Sequence, residues 1–462
     1  MTGFDLASSD SRPRRDLLLL FATVLFGLSI RGGTTTSIAV LIGCTSLAIA
    51  LFIRPGGTRS VEAAWGGRGW ETRLMISVVV FGLLGVIGWS PASIGPTSSE
   101  LERLPGVLWV VASIVVFIGG RGVGRLIGGG VVVITLGATL LLGLDHLSAA
   151  EGVGFDVYFL HVEAAEAIAN GHNPYTDVVQ VPNGSPTAEP GDVITGYVYP
   201  PVTAASYSLG YWAFSDPRFT SLVAWLAFLG FIGIGAFRSR SRSGLLVMLL
   251  MASIPGWPLV LRAAWTEPLS LAFLAGAFFL WKRPMTSGAF LGLALASKQY
   301  FVVTAPLLLL QRDSGWIKRA VVAGAVIAAT IGAVILWDAG AFWSAAVEFH
   351  TSTPPRPDSL NLVGIASLLG LSWNPPTFLA LAAGLLVAIA AGRRSAHRAG
   401  FMLALGLTLA ASFLLSSQAF ANYWFLIAGL CGLALWDIST GVGADDATDQ
   451  GLKAAVVSTP GA

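Results

Sequence analysis

Charged side chains are scarce in this chain of 462 residues: Asp, Glu, Lys and Arg make up 11% of it, and hydrophobic residues 54%. Soluble globular proteins carry about 25% charged residues. Because the deficit extends along most of the length, it excludes an ordinary soluble protein and predicts an all-α polytopic membrane protein. The net charge of +2 gives no argument for nucleic acid, so no nucleic-acid partner is predicted.

Cysteines and metal-binding patterns are equally rare. Cys44 and Cys431 are the two cysteines and both lie within apolar runs, so no disulfide framework is predicted. His161 and His172 are too far apart to form a helical pair of metal ligands at i and i+4. The segments predicted to be external contain no Asp-x-Asp motif. No metal site and no cofactor are therefore predicted, although a divalent cation is compatible with the sequence.

Long apolar segments fill most of the chain. A membrane-spanning helix needs about 20 apolar residues, and Lys and Arg concentrate in cytoplasmic loops. These rules predict about 13 to 15 membrane segments within residues 16–437, with external loops at 145–201 and 338–374. The N-terminus, 1–15, is predicted to be cytoplasmic, and the tail, 438–462, to be cytoplasmic and disordered.

Two regions do not fit simple crossings. The runs Val202–Phe214 and Thr220–Phe237 precede a basic cluster at 238–242, which two full crossings would place outside the cytoplasm. One of the runs is therefore predicted to be short, re-entrant or interfacial. Gly288–Gln311 has basic residues near both ends, and we interpret it as two short helical arms with Lys298 at an external turn. Broken helices at membrane depth occur where they are buried in protein or line a cavity.

The stretch Gly154–Pro201 is the polar exception in this apolar chain. It has no Lys or Arg, and its acidic and histidine residues are Asp156, His161, Glu163, Glu166, His172, Asp177, Glu189 and Asp192. Non-helical backbone and polar groups are tolerated where the chain leaves the hydrocarbon. A catalytic acid or base is therefore expected in this stretch.

Asp156 begins the run DVYFLHVEAAEAIANG, which predicts a helix that ends at Gly171. Its apolar positions recur at helical spacing: Tyr158, Val162, Ala165 and Ile168–Ala169. Glu163 and Glu166 fall on the other side, a pattern typical of an amphipathic helix on a membrane surface. Asp156 itself could be only a helix cap, or it could be a general base held at that surface.

Lysine is rare in this sequence, and Lys298 lies amid largely apolar residues, where an ionisable side chain is costly and usually functional or paired. It could reach the interface by snorkelling, or it could grip a phosphate. Arg262 and Glu267, at a neighbouring external turn, could form an ion pair. Tyr197 and Tyr199 could be interfacial belt residues or could stack on a sugar ring.

The segment GFDVYFLHVEAAEAIANGHNPY, followed by YVYPP before an apolar run, resembles the polyprenyl-phosphate-sugar-dependent glycosyltransferases of the GT-C fold. The closest resemblance is to glycosyltransferase family 87, which includes bacterial mannosyltransferases. LGLALASK, ending at Lys298, is similar to a later hairpin of that family, and Asp358–Asn361 loosely matches an external Asn-x-Ser-Leu element. Where the family often has a Gly-Gln-x-Asn turn, this chain has Trp-Thr-Glu-Pro, which leaves the role of Glu267 open.

The resemblance implies a GT-C-like helical bundle in a bacterial plasma membrane, with the active site on the extracytoplasmic side. Asp156 would be the general base for inverting single displacement, and Lys298 with Arg262 would hold the donor phosphate. The donor would be a polyprenyl-phosphate-linked sugar, with mannose expected, and the acceptor a glycolipid, glycan or protein. The residues expected to bind substrate are His161, Glu163, Asn173, Tyr175, Tyr199, Glu267, Gln299 and Asn361.

A secondary transporter is the alternative from another class. The number of segments, the broken helices and a buried Lys298 suit it. Against it stand the lack of internal repeats and the position of the acids in an external loop. A flippase or polysaccharide polymerase is a third reading, and a polymerase would depend on external arginine and histidine rather than on Asp156.

Overall fold

A computed structural model of the chain describes ten ranges: 11–28, 34–52, 68–86, 100–119, 124–148, 155–180, 193–311, 313–356, 358–392 and 397–440. These residues are almost entirely helical. The strands in them are β1, Val178–Gln180, and β2, Val193–Thr195, which pair antiparallel. The predicted all-α class is confirmed for the described part of the chain.

The first half of the chain forms eight helices in the described ranges: α1 Ser11–Leu28, α2 Thr34–Phe52, α3 Arg68–Val86, α4 Glu100–Ile118, α5 Arg125–Ser148, α6 Asp156–Ala169, α7 Pro201–Phe214 and α8 Arg218–Ser239. The second half continues with α9 Arg242–Ala252, α10 Trp257–Arg262, α11 Glu267–Phe279, α12 Pro284–Leu295, a 3-10 helix Gln299–Thr304, α13 Ala305–Leu310, α14 Trp316–Trp343, a π-helix Ser344–Glu348, α15 Phe349–Ser352, α16 Leu362–Leu368, α17 Thr377–Gly392, α18 Arg398–Leu415 and α19 Ala421–Thr440.

The core lies around α9 and α11, which are buried on nearly every side. A helix that is apolar all round is stable only when it is surrounded by protein or lipid. Here α8 and α19 contact both helices, α3 also contacts α9, and α12 also contacts α11. Aromatic side chains of α8, α10 and α19 pack together near the centre. Trp225 of α8 stacks on Trp257 with ring centroids 5.4 Å apart and packs against Phe425 of α19 at 4.9 Å.

Five helices in the described ranges are long and apolar enough to cross a membrane: α5, α8, α14 with its continuation to Ser352, α18 and α19. Eight shorter apolar helices of 10–17 residues accompany them. The chain is therefore a helical membrane protein. The number of membrane segments and their orientation stay predictions.

The two irregular regions have the helix lengths that the sequence indicates. α7 has 14 residues, about 21 Å of helix, which is less than the roughly 30 Å of a hydrocarbon core. The helix of the 288–311 region is interrupted at 296–298, between α12 and the 3-10 helix. The predicted short run and the predicted break at Lys298 are thus confirmed, whereas their depth in a membrane stays a prediction.

Helices extend further than several predicted boundaries. α1 begins at Ser11, α5 continues to Ser148 and α19 continues to Thr440. The predicted loop at 338–374 is helical as far as Ser352, because the chain only kinks at Asp338 and then resumes a helix. The Asp338 side chain accepts a hydrogen bond from the amide of Ala341 at 2.9 Å and so caps the resumed helix.

Some predictions fall on other parts of the chain. Glu189 and Asp192 of the polar stretch, most of the predicted tail and residues 1–10 lie outside the described residues.

Candidate functional site

Asp156 is the first residue of α6, where a carboxylate is favoured by the exposed amides and by the helix dipole. Its Oδ1 accepts a hydrogen bond from the amide of Val157 at 2.9 Å. The helix ends in a Schellman motif: the amide of His172 donates to the carbonyl of Ala167 at 2.8 Å, and Gly171 adopts a φ of +74°. The predicted helix and its glycine stop are confirmed.

The buried face of α6 differs from the predicted apolar stripe. Val157, Leu160, His161 and Ala164 are buried, whereas Tyr158 and Val162 are only partly covered. The reason is that α6 packs on α7 and on an aromatic cluster, so a histidine occupies the centre of the contact face. That α6 lies on a membrane surface stays a prediction.

The two glutamates of α6 are exposed, as the sequence predicts. Partial desolvation, with the neighbouring charges of Glu166 and Asp177, raises the pKa of Glu163 above its ordinary value. Glu166 accepts a hydrogen bond from the hydroxyl of Tyr211 at 2.8 Å, which ties α6 to α7. Glu163 is thus the second carboxylate on this helix that could take a proton.

His161 is buried and both of its ring nitrogens are engaged. Nε2 donates to the carbonyl of Ala264 at 3.1 Å, so Nδ1 is the acceptor and receives the hydroxyl hydrogen of Tyr197 at 2.8 Å. The ring stacks on Tyr207, with centroids 3.8 Å apart. A neutral imidazole with both nitrogens satisfied holds its neighbours in place. Its predicted contact with substrate stays a prediction.

Acid is expected to destabilise the protein through His161. Burial, assisted by the charge of Lys298, lowers the pKa of His161 from 6.5 to about 3. Between those two values the unfolded chain binds a proton that the folded chain does not, so the free energy of unfolding falls by about 1.4 kcal/mol per pH unit as the pH drops. Above pH 6.5 the histidine contributes no pH dependence.

The measurement is thermal unfolding in detergent from about pH 7.5 to about pH 4.5, for wild type and for His161→Gln, which cannot titrate. The gap in Tm between the two proteins should shrink towards low pH. Parallel curves over this range would contradict the prediction.

Three tyrosines of the polar stretch pack together beside His161. The Tyr175 hydroxyl donates to the carbonyl of Tyr199 at 2.9 Å, and Tyr197 contacts both rings edge-on. Asn173 stabilises the turn before them, because its Oδ1 accepts the amide hydrogen of Tyr175 at 3.0 Å. Asn173 and Tyr175 therefore position Tyr199, and their predicted contact with substrate is untested.

Lys298 lies where the helix breaks, and neighbouring elements stabilise that break. The Ser297 carbonyl, left free by the end of α12, accepts the Thr203 hydroxyl of α7 at 2.5 Å. The Ser297 hydroxyl lies 2.8 Å from that of Ser270 on α11. Lys298 is 3% exposed, and its Nζ lies 4.2 Å from the centroid of the Tyr199 ring, a cation–π contact.

Glu267 is the ionic partner of Lys298. It is fully buried in the first turn of α11, and its Oε1 lies 3.3 Å from Nζ of Lys298. The same oxygen accepts hydrogen bonds from Asn422 at 2.9 Å and from the Tyr300 hydroxyl at 3.4 Å. Lys298 is therefore a paired, buried lysine, and its predicted contact with a phosphate stays a prediction. The membrane-facing alternative, snorkelling, is not what the side chain does.

Tyr199 is a buried aromatic residue of the polar stretch. Burial, with the negative charges of Asp156 and Glu267, raises the pKa of Tyr199 well above its ordinary value. Lys298 lies against its ring. The buried cation at the helix break therefore contacts the polar stretch through an aromatic face.

Arg262, Gln299 and Asn361 have different surroundings. Arg262 ends α10, which packs against α5, and its charge acts on His146 of that helix. Gln299 follows Lys298, and within the described ranges its buried Oε1 has no hydrogen-bond partner. Asn361 caps α16: its Oδ1 accepts the amides of Val363 and Gly364, and its Nδ2 donates to two carbonyls of the α18 end. These four bonds leave Asn361 nothing to offer a ligand.

Asn361→Ala is expected to lower the free energy of unfolding by about 2–3 kcal/mol, because it removes a helix cap and two buried donors. Asn361→Asp keeps the capping oxygen and is expected to lose less. Thermal unfolding of both variants in detergent is the measurement. A stable Asn361→Ala protein that has lost its activity would instead support the predicted role in substrate binding.

Sequence reasoning missed several residues that the fold brings to this region. Asn422 and Tyr300 surround Glu267, Tyr207 stacks on His161, and His350 donates from Nε2 to the carbonyl of Val198 at 2.9 Å. His350 follows the π-helix, a form that often marks functional sites. The available signals were a histidine in the predicted loop 338–374 and an asparagine at an apolar helix start.

Among the residues that the structure describes, no group of three or more His, Cys, Asp or Glu side chains could hold a metal ion. Cys44 and Cys431 are free and buried. Comparisons with protein-family models, with curated proteins and with solved structures give no match for this chain. The resemblance to glycosyltransferase family 87 thus rests on the quoted motifs alone.

Proposed function

We propose that the chain is a membrane glycosyltransferase that moves a sugar from a polyprenyl-phosphate donor to an acceptor hydroxyl. One observation carries the proposal: a buried cation, Lys298, lies against the ring of Tyr199, in the polar stretch whose helix α6 begins at Asp156. Transfer from a lipid phosphate needs a cation for the leaving group and a base for the attacking hydroxyl.

In this proposal Asp156 takes the proton of the acceptor hydroxyl, and the acceptor oxygen attacks the anomeric carbon. The bond from that carbon to the phosphate oxygen breaks, and the electron pair leaves with the polyprenyl phosphate. Lys298 stabilises the negative charge that develops on the phosphate. One displacement inverts the anomeric configuration, and Asp156 later releases its proton to water.

The ion pair with Glu267 suits this role of Lys298. A lone ammonium buried in a membrane protein is costly, and a carboxylate at 3.3 Å compensates it before substrate binds. Nζ has three hydrogens, and one of them points to Glu267. The others remain available to the phosphate.

The remaining residues divide into two groups. Tyr199 is the side chain we assign to the sugar, since aromatic faces stack on sugar rings and Lys298 lies beside it. His161, Tyr175 and Asn173 hold that tyrosine through the contacts described above. Mannose is the proposed sugar and the extracytoplasmic side the proposed location, both from the motif resemblance.

The test is sugar transfer in membranes that contain the protein and are supplied with radiolabelled polyprenyl-phosphate mannose. Label should move into a glycolipid, glycan or protein fraction, and it should not move with Asp156→Asn at equal protein level. Failure with mannose would require arabinofuranose and glucose donors next. No transfer from any of them would overturn the proposal.

A secondary transporter is the second candidate, because the buried Lys298–Glu267 pair joins a helix break to the first turn of another helix. Transporters place ionisable pairs and broken helices at their binding sites. Purified protein in liposomes discriminates the two functions. Uptake that needs an ion gradient and no lipid-linked sugar would favour the transporter.

A further inference from the structure

Glu267 and Asn422 form a pair of buried side chains, and each keeps one hydrogen-bond acceptor without a partner among the described residues. Glu267 is fully buried and Asn422 is 5% exposed. They are joined by the Asn422 Nδ2 bond to Glu267 Oε1 at 2.9 Å, which leaves Glu267 Oε2 and Asn422 Oδ1. Neither of these two oxygens has a partner among the described residues.

Unpaired buried oxygens of this kind are uncommon in native proteins and call for an explanation. The explanation here is not a shortage of neighbouring donors, since Lys298, Tyr300 and the Asn422 amide all converge on the other oxygen of Glu267. All three donors lie at Oε1, and Oε2 keeps none. The geometry therefore selects a ligand that brings its own donors.

Hydroxyl groups satisfy this requirement better than a cation does. The ammonium of Lys298 lies 3.3 Å from Glu267 and would repel a second positive charge. The described part of the chain also contains no further acidic or histidine ligands near enough to complete a metal site. Two neighbouring acceptors match two hydroxyls on adjacent carbons, and the Tyr300 and Tyr423 rings, 5.5 Å apart, supply apolar walls.

We propose that Glu267 and Asn422 accept hydrogen bonds from hydroxyl groups of the donor sugar and so determine which sugar is transferred. This inference rests on the proposed function, in which Lys298 holds the donor phosphate. Because Lys298 and Asn422 share one oxygen of Glu267, a sugar attached to that phosphate lies within reach of the pair. Asn422 is thus a specificity-determining residue that no sequence motif indicated.

A site built to hydrogen-bond a hydroxyl rejects an analogue that lacks it, because its own polar atoms are then left unpaired. The probes are the polyprenyl-phosphate sugar that supports transfer and its monodeoxy analogues, one for each hydroxyl. Wild type should transfer at least one analogue roughly 100-fold less efficiently than the parent sugar. The measured quantity is the kcat/KM of the parent sugar divided by that of the poorly transferred analogue. In Asn422→Leu this ratio should be at least about 10-fold lower than in wild type.

Thr408→Val is the matched control. Thr408 is fully buried in α18, and its hydroxyl also has no partner among the described residues, but it is not bonded to Glu267 or Lys298. The control should keep the wild-type ratio. If Asn422→Leu does not fold, Glu267→Gln keeps the side-chain shape and gives the same measurement of the ratio.

The outcomes separate the two proposals. Wild type could transfer sugar while neither Asn422→Leu nor Glu267→Gln changes the ratio of the two kcat/KM values. That result would overturn this inference alone, and would mean that only water binds the two oxygens. Absence of transfer from every polyprenyl-phosphate sugar would overturn both.

Discussion

Lys298→Met is expected to reduce sugar transfer at least about 100-fold, because it removes the cation that stabilises the departing phosphate. Methionine keeps the length and apolar stem of the side chain, so the effect reports the lost charge. Initial rates in membranes, normalised to protein amount, are the measurement. The matched control is Lys282→Met at an exposed lysine, which should transfer at the wild-type rate.

Stability separates this loss from misfolding. Lys298→Met leaves the buried carboxylate of Glu267 without its ionic partner, which costs about 3–5 kcal/mol in proteins where one member of a buried pair is removed. Adding Glu267→Gln removes the uncompensated charge and should restore most of the thermal stability in detergent. The double variant should stay inactive. A stable double variant with wild-type transfer would remove Lys298 from the mechanism.

Asp156→Asn is expected to lower the transfer rate by about 10²–10⁴-fold, the range for loss of a positioned general base. The amide can still accept the hydrogen bond from the Val157 amide, so α6 should keep its start and the protein its Tm. Initial rates and thermal unfolding of the same preparation measure the two effects.

Glu163→Gln is the matched control for Asp156→Asn. Both carboxylates lie on α6, but Glu163 is exposed two turns from the start of the helix and away from the tyrosine cluster. Its raised pKa makes it the next candidate base. Transfer that survives Asp156→Asn and is lost with Glu163→Gln would reverse the assignment.

Local features of the fold could be predicted from the sequence because they depend on neighbouring residues. The start of α6 at Asp156 and its end at Gly171 follow from capping preferences. The break at Lys298 follows from a charged residue within an apolar run. The continuation of α14 beyond Asp338 could not be predicted, because an aspartate after an apolar run is equally typical of the end of a membrane span.

The partners in the site could not be predicted, because they come from distant parts of the chain. Asn422 reaches Glu267 across 155 positions, and His161 reaches Ala264 across 103. The spacing of apolar residues along the chain gives no information about such distant contacts. Distant partners also explain why the predicted buried face of α6 was wrong. His161 is a polar residue, but it can be buried because Tyr197 and the Ala264 carbonyl form hydrogen bonds with both of its ring nitrogens.

Two separate contacts close the hairpin between α6 and α7 near Tyr199. β1 pairs with β2, with Val178 opposite Thr195, and the Tyr175 hydroxyl holds the Tyr199 carbonyl. Gln180 lies opposite Val193 in the same ladder, so the two strand ends are held together. Both this ladder and the Tyr175 hydrogen bond would have to open before the backbone of Tyr199 could move away from Lys298. In the proposed enzyme, the aromatic face beside the cation is thus preorganised before a donor binds.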